Sequence, residues 1–318
     1  EEEAEEAAAT AVKQRRHAFV SPDGTTSTFV AGPSTLQSVG DEPLPLRGLQ
    51  PRPLRSLVFS SVGAQCLPAV RDHWLRDPAA AAFDVVLLCY KEVHSEVLRA
   101  LQDVAAQHAF VEVHQRPGMK WPNFLHWVEE LADGAEAVAA RYDCIWVVDD
   151  DMRLPTSDIN RLFSFLQKRG SIQFACPSFD AASHGVWRYF DRHNPSYKVR
   201  YTDFVECSAA VLKASMLLDP VFDRCLRAVK TGCFLDFSFY FAAGGRQDAV
   251  AIVDAVQCHH PLRDSSAPSE MEGEIPWEDH KQDEVHFEKA GLPRDWWWYR
   301  KPVVFGGEAA QTSRPVDV

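Results

Sequence analysis

Residues 142–152 have the sequence YDCIWVVDDDM, in which the apolar run at 144–148 leads directly into Asp149, Asp150 and Asp151. A short apolar run bounded by polar residues is typical of a strand that is buried on both faces of a parallel sheet. Ligands of open α/β sheets bind beyond the carboxyl ends of such strands. The stretch therefore predicts a parallel sheet and a ligand site at its edge.

Apolar runs and helical stripes alternate on both sides of this strand. Further runs that predict strands lie at 54–63, 83–90, 110–115, 172–178 and 249–256. Apolar residues recur at helical spacing in 70–77, 95–108, 123–142, 158–169 and 235–245, and 205–229 predicts a strand or turn followed by a helix. Strands that alternate with helices indicate an α/β fold with a mostly parallel central sheet flanked by helices.

The segments before and after these alternating strands and helices are predicted to be arms of a single domain. Residues 1–53 begin with an acidic tail and continue as a stretch rich in Ser, Thr, Gly and Pro, which we interpret as an extended arm. Residues 54–262 form the α/β domain. Residues 263–318 predict a C-terminal extension packed on the domain, and the polar and aromatic stretch 179–203 predicts no regular element.

The composition limits the class of protein. The 318 residues carry 33 Lys and Arg against 45 Asp and Glu, which gives a formal net charge of −12. This charge argues against a nucleic-acid binder, since phosphate contacts need a basic face. It leaves room for a nucleotide bridged by a metal cation. The chain starts with Glu rather than Met, and we expect that an N-terminal membrane anchor precedes it in the natural protein.

Eight cysteines leave the cellular compartment open. Cys89, Cys144 and Cys176 lie in apolar runs and are predicted to be buried free thiols. Four others lie in a more polar region and are candidates for pairing, namely Cys207, Cys225, Cys233 and Cys258. The chain contains no N-glycosylation sequon.

The three adjacent aspartates predict a cation site. Carboxylates crowded at a strand end raise one another's pKa, and a hard divalent cation with oxygen ligands removes that cost. Side chains two residues apart in a strand share a side, so Asp149 and Asp151 are expected to face one ion while Asp150 points elsewhere. The alternative is an acidic loop, or an N-cap of the helix at 158–169.

Two later segments carry further candidates. Asp236 lies in the apolar run CFLDFSFYF, where a partly buried carboxylate is a candidate general base or else a helix cap. His259 and His260 follow the last predicted strand, where a neutral imidazole suits a Mn²⁺-like ion. The alternative is two core or surface histidines without a ligand.

Aromatic residues supply candidates for sugar contacts. Lys120 and Trp121, close to Arg116, are candidates to hold a phosphate or a sugar, and a solvated loop is the alternative. Trp187 and Tyr189 are candidate stacking platforms for an acceptor. Trp277 is a further candidate, with packing of the tail on the core as the alternative, and this packing is favoured for Trp296, Trp297, Trp298 and Tyr299.

The order of these motifs resembles that of GT-A glycosyltransferases. It resembles more closely a plant and algal "domain of unknown function" family with a GT-A-like core, whose members are often named lysine-ketoglutarate-reductase trans-splicing-related. The resemblance covers about 54–262 and rests on the following motifs: LVFSSVG (57–63), KW (120–121), YDCIWVVDDDM (142–152), FVEC (204–207), GCFLDFSFYFAAGG (232–245) and VAIVDAVQCHHP (250–261).

The resemblance implies a role for each matching residue. Asp149 and Asp151 would form the DxD motif that binds the metal and the nucleotide sugar, and His260 would be the third metal ligand, with His259 as its competitor. Asp236 would be the acid on the acceptor side. The remaining donor-binding positions would be Val62 and Gly63 near the base, together with Lys120 and Asp150.

This sequence departs from the family pattern at two points. The DxD motif has Asp in its middle where the family usually has Glu, and Arg153 follows closely where the family has a small residue. The family's Gly-Leu-Pro after the late histidine is replaced by His260-Pro261-Leu262. These departures leave the metal geometry and the choice of donor open.

The resemblance predicts a metal-dependent glycosyltransferase. Its cofactors would be Mn²⁺ or Mg²⁺ and a nucleotide-sugar donor, most simply a UDP-sugar. Its acceptor would be a glycan, a glycoprotein or a small molecule, and no nucleic acid is expected. The Golgi or secretory lumen is favoured, with the cytosol left open. The alternatives are a non-catalytic GT-A-like scaffold that keeps the nucleotide, or a metal-dependent phosphohydrolase, which lacks its usual nucleophile motif.

Overall fold

The computed structural model describes most of the α/β domain and parts of its two arms. The described residues are 15–20, 26–31, 55–64, 66–91, 95–183, 190–232, 235–261 and 302–310, with backbone alone for the first two ranges. Within them the chain forms one nine-stranded sheet with helices on both faces and a separate two-stranded sheet.

In the two-stranded sheet, β1 (Arg15–Val20) pairs antiparallel with β2 (Thr26–Ala31). The strands of the large sheet are β3 (Ser56–Val62), β4 (Asp84–Cys89), β5 (Val111–Gln115), β6 (Cys144–Val148), β7 (Phe174–Phe179), β8 (Tyr197–Thr202), β9 (Ala209–Lys213), β10 (Val250–Cys258) and β11 (Val304–Ala309). Their order is β11-β8-β10-β7-β9-β6-β3-β4-β5. Strands β8 and β9 run against the others, so the prediction of a mostly parallel sheet is confirmed.

Helices cover both faces of the large sheet. They are α1 (Cys66–Ala69), α2 (Glu96–Gln107), α3 (Lys120–His126), α4 (Ala135–Arg141), α5 (Thr156–Gln167), α6 (Pro220–Ala228) and α7 (Phe239–Ala242). Wider π-turns extend α1 over Val70–Trp74 and α3 over Trp127–Leu131, and 3₁₀ turns cover Pro78–Ala80, Ala214–Leu218 and Leu235–Ser238. One face packs against α1, α2 and α5, and the other against α3, α4, α6 and α7. Among the described residues, no helix combines the length and the apolar character needed to cross a membrane.

Burial on both faces of the sheet explains why the sequence of β6 is apolar without interruption. Ile145 and Val147 belong to the core on one face of the sheet, whereas Cys144, Trp146 and Val148 belong to the core on the other face. All five side chains are fully buried, and the Trp146 indole donates to the carbonyl of Ala209 at 3.0 Å. The alternation of a strand therefore places apolar residues on both faces, and the chain becomes polar where it leaves the core at Asp149.

The prediction that 179–203 is irregular is wrong, because β8 lies within it. The charged residues of β8 interrupt the apolar pattern by which the other strands were predicted. Arg200 is buried, and its guanidinium binds both carboxylate oxygens of Asp254 on β10, at 2.7 and 3.0 Å. The C-terminal extension contributes β11, which pairs with β8 at the edge of the sheet.

Two predicted helices differ from the observed ones. The helix predicted over 123–142, with a break at its glycine, starts earlier, at Lys120. The predicted break is confirmed at Gly134, where Asp133 and Gly134 have φ angles of 63° and 93°. The helix predicted over 235–245 is shorter, a 3₁₀ turn followed by α7. Burial of nearly every residue in this segment forces the tight turn, since Leu235 to Ala242 pack against the core from several sides.

The described cysteines are free thiols. Cys89, Cys144 and Cys176 are buried, which confirms the prediction for them. Of the four candidates for pairing, Cys207, Cys225 and Cys258 are free thiols, and Cys233 lies outside the described residues.

Gly232 packs closely on α3 at Trp121. Its φ is 89°, and a Cβ placed on it would lie 2.5 Å from Cδ1 of Trp121. We expect Gly232→Ala to lower the free energy of unfolding by roughly 1–3 kcal/mol through strain and overpacking. Urea unfolding would measure it, with Gly170→Ala as the control because a Cβ at Gly170 meets nothing within 4 Å. Equal stability of the two variants would contradict the close packing.

Candidate functional site

The candidate site lies where β6 and β10 end. The Asp149 amide donates to the carbonyl of Ser208 at 2.8 Å, which fixes the start of the aspartate run beside the turn before β9. Arg153 and His259 exchange backbone hydrogen bonds of 2.8 and 3.0 Å. These bonds join the chain after β6 to the chain after β10, so that residues far apart in sequence meet.

Asp151 and His260 are brought together by this pairing. His260 Nε2 lies 3.4 Å from Asp151 Oδ1, and both side chains are buried. Burial alone would lower the pKa of His260, but a hydrogen bond donated to Asp151 and the nearby carboxylates of Asp149 and Glu206 outweigh it and raise that pKa. His259 instead faces Asp180, with Nδ1 and Oδ2 2.9 Å apart. Of the two candidate histidines, His260 is therefore the one beside the aspartates.

Asp149 faces a lysine rather than Asp151. Lys120 Nζ donates to Asp149 Oδ1 at 2.6 Å and to the carbonyls of Cys207 and Ser208 at 2.7 and 3.2 Å. Trp121 is 1% exposed and packs in the core. It is thus neither a residue of a solvated loop nor an accessible platform for a sugar.

Asp150 turns to the end of β3. Its Oδ2 accepts a hydrogen bond of 2.8 Å from the Gly63 amide and one of 3.5 Å from the Tyr90 hydroxyl. The Val62 side chain is fully buried, so only the backbone around Gly63 borders the site. The predicted donor-binding residues therefore lie in two places. Lys120 contacts Asp149, whereas Val62, Gly63 and Asp150 lie together at the end of β3.

Asp236 belongs to a group of buried acids that includes two residues for which the sequence predicted no role. Burial, with a contribution from Glu206, raises the pKa of Asp236 to about 7. Burial and the adjoining Asp191 raise the pKa of Glu206 to about 8. Burial raises the pKa of Asp191 to about 6, although its hydrogen bond with Glu206 favours the ionised form. Each of the two neighbouring carboxyl groups disfavours the ionised form of the other, so the buried pair is more stable when one of them keeps a proton.

Glu206 was visible in the motif FVEC as one acid among apolar residues, whereas nothing near Asp191 distinguished it in the sequence. The bridge between Phe179 and Arg192 places Asp191 beside the end of β7, opposite the turn that carries Glu206. The candidate aromatic residues lie outside the described part of the chain, namely Trp187, Tyr189, Trp277, Trp296, Trp297, Trp298 and Tyr299.

Solved glycosyltransferase structures share this arrangement of sheet and helices. GalNAc-T7, solved with UDP, GalNAc and Mn²⁺, is similar with a TM-score of 0.51 and 10% identity, over 74% of this chain and 48% of that chain. The fold is GT-A-like. The fold class predicted from the sequence is thereby confirmed, and at this identity the similarity concerns the fold alone.

Two further structures have lower scores. TarS from S. aureus has a TM-score of 0.46 and 12% identity, over 76% of this chain and 68% of that chain. The mannosyltransferase PcManGT from Pyrobaculum calidifontis has a TM-score of 0.44 and 14% identity, over 74% of this chain and 63% of that chain. No protein-family model matches the sequence, and no curated protein is detectably similar to it. Membership of the plant and algal family stays a prediction.

In the GT-A-like domain, two of the three predicted metal ligands are placed so that they could bind one divalent cation. Asp151 and His260 place an oxygen and a nitrogen 3.4 Å apart, a donor set that suits Mn²⁺. Asp149 is engaged by Lys120 instead. Among the described residues, no three His, Cys, Asp or Glu side chains form a group that could hold a metal ion.

The buried acids of the GT-A-like domain predict a pH-dependent stability. Because the pKa of Glu206 is raised to about 8, the folded state keeps a proton that the unfolded state has lost, and stability falls as pH rises toward 8. We expect Glu206→Gln, which cannot ionise, to gain on the order of a few kcal/mol over the wild type between about pH 5.5 and pH 8.5. Urea midpoints at both pH values would measure it, with exposed Glu129→Gln as the control. Parallel pH profiles of Glu206→Gln and the wild type would refute the expectation.

Proposed function

We propose that this chain is a glycosyltransferase that moves a sugar from a nucleotide-diphosphate sugar to an acceptor hydroxyl. The observation that carries the proposal is the approach of Asp151 and His260 at the carboxyl edge of a GT-A-like sheet. The same edge holds Asp236, a buried acid whose pKa is close to neutral. GalNAc-T7, of similar fold, was solved with UDP and Mn²⁺, which supports a nucleotide-sugar donor and a divalent cation.

Asp151 and His260 would hold Mn²⁺ or Mg²⁺ at the donor end of the site. When bound, the ion would neutralise the charge that develops on the departing diphosphate. The chain itself orients these ligands: the His260 amide donates to Ser183 Oγ at 2.9 Å, and the backbone pairing of Arg153 with His259 holds Asp151 opposite the imidazole. The two ligands are thus positioned before a cation arrives.

Asp236 would act on the acceptor. Its pKa of about 7 matches a group that exchanges a proton near neutral pH. The Phe237 amide donates to Asp236 Oδ1 at 3.1 Å and holds the carboxyl group in place. In an inverting reaction Asp236 would accept the proton of the acceptor hydroxyl, and in a retaining reaction it would position that hydroxyl.

A UDP-sugar stays the expected donor, and a glycan, a glycoprotein or a small molecule the expected acceptor. The secretory lumen remains the predicted location. A second candidate function is a non-catalytic protein that binds the nucleotide without transferring the sugar. The contact between Lys120 and Asp149 favours it, because it occupies one acid of the DxD motif.

A thermal-shift screen of UDP-glucose, UDP-N-acetylglucosamine and GDP-mannose with and without Mn²⁺ would test the proposal. A ligand that binds only the native state raises the melting temperature by mass action. We expect a rise that needs both Mn²⁺ and one donor, followed by release of free sugar on incubation. Binding without sugar release or transfer would favour the non-catalytic candidate, and no binding of any donor would overturn the proposal.

A further inference from the structure

We propose that Lys120 is a built-in cation that competes with the divalent ion for Asp149, so that the ion is held by Asp151 and His260 alone. The inference rests on the proposed cation site and describes how this chain departs from a DxD motif in which both outer acids bind the metal. It also assigns Lys120 a different role from the phosphate or sugar contact expected from the sequence.

All three N–H donors of the Lys120 ammonium group have acceptors within the protein. It has three N–H donors, and three acceptors surround it: Asp149 Oδ1 at 2.6 Å and the carbonyls of Cys207 and Ser208 at 2.7 and 3.2 Å. The side chain is 11% exposed. A lysine held in this way is a fixed charge in the protein and has no donor left for a phosphate.

The contact with Lys120 also orients Asp149. Side chains two residues apart in a strand share a side, but the chain leaves β6 at Asp149, and its carboxylate turns to the Cys207–Ser208 turn. Asp151 turns to the end of β10, where His260 lies. Asp149 is 31% exposed, so the contact with Lys120, and not enclosure in the core, sets the direction of its carboxylate.

A divalent ion at Asp149 would have to displace the lysine. Removing the carboxylate from a mostly buried ammonium group leaves a charge without its counter-ion, and this cost opposes binding of the ion. Two positive charges would also lie at one carboxylate, where they repel each other. Removing the charge of Lys120 should therefore convert a two-ligand site into a three-ligand site.

A double-mutant cycle separates this competition from simple charge effects. The four proteins are the wild type, Lys120→Met, Asp149→Asn and the double variant, and the probe is Mn²⁺ alone, quantified from the electron paramagnetic resonance signal of the free ion. If Lys120 acts only by its charge, Asp149→Asn weakens Mn²⁺ binding equally with and without the lysine. If Lys120 occupies Asp149, the loss appears mainly when the lysine is absent.

We expect Lys120→Met to tighten Mn²⁺ binding, and Asp149→Asn to weaken it about tenfold more in that variant than in the wild type. Equal losses in both backgrounds, a larger loss in the wild type, or no binding in all four proteins would overturn the proposal. Asp151→Asn must abolish binding in both backgrounds, because an ion that persists lies elsewhere, which also overturns it.

Two controls keep the result interpretable. Exposed Lys168→Met removes the same charge at the end of α5 and should leave the Mn²⁺ dissociation constant unchanged. If Lys120→Met does not fold, Lys120→Gln gives the same cycle, since its amide still donates to a carbonyl group. The assay uses neither nucleotide sugar nor turnover, so its outcome is independent of whether the protein transfers a sugar.

Discussion

Asp236→Asn is expected to lower the rate of sugar transfer by roughly 100- to 10,000-fold, the usual contribution of a general base. The asparagine keeps the shape of the side chain and cannot accept the proton. Asp236 is buried beside Cys207 and Glu206 and is not one of the two proposed metal ligands, so donor affinity should change little. Steady-state turnover and calorimetric titration of the donor with Mn²⁺ would separate the two quantities.

A matched control for this variant is Asp223→Asn on α6. Asp223 forms a surface ion pair with Arg227, and its loss should leave both turnover and binding unchanged. Equal losses of turnover and donor affinity in Asp236→Asn would show that the carboxyl group only caps the turn before α7. An unchanged rate would remove Asp236 from the mechanism.

Asp151→Asn is expected to abolish the part of nucleotide affinity that depends on a divalent cation. The carboxylate is one of two side chains that would hold the ion, and such an ion contributes several kcal/mol, on the order of a 100-fold or larger effect on the dissociation constant. Titration of UDP in the presence and in the absence of Mn²⁺ would measure this difference directly.

The structure supplies a control for this variant on α5. Asp158 is a partly exposed acid paired with Arg161, and Asp158→Asn should keep the full effect of Mn²⁺ on UDP affinity. Urea unfolding would verify that both variants are folded. If Asp151→Asn binds UDP and Mn²⁺ as tightly as the wild type, the cation site is not at Asp151.

Local sequence patterns predicted the elements of this fold well where one periodicity dominated. The five apolar residues of β6 followed by three acids predicted the buried strand and its polar end, because burial on both faces needs an unbroken apolar run. Strand β8 was missed, since its Arg200 is buried through an ion pair with Asp254 on another strand and hydrogen bonds to two backbone carbonyls. From sequence alone, a charged residue is assigned to the surface unless its buried partner is known.

By itself, the sequence of this protein determined the α/β class, the mostly parallel sheet and the set of acids and histidines gathered near its edge. These follow from short-range periodicity and from the position of polar residues at strand ends. The partners of those residues emerged only on folding: Lys120 at Asp149, His260 rather than His259 beside Asp151, and Glu206 against Asp191. Each such pair joins distant parts of the chain, and strand order and backbone pairing, which no local pattern encodes, set which side chains meet.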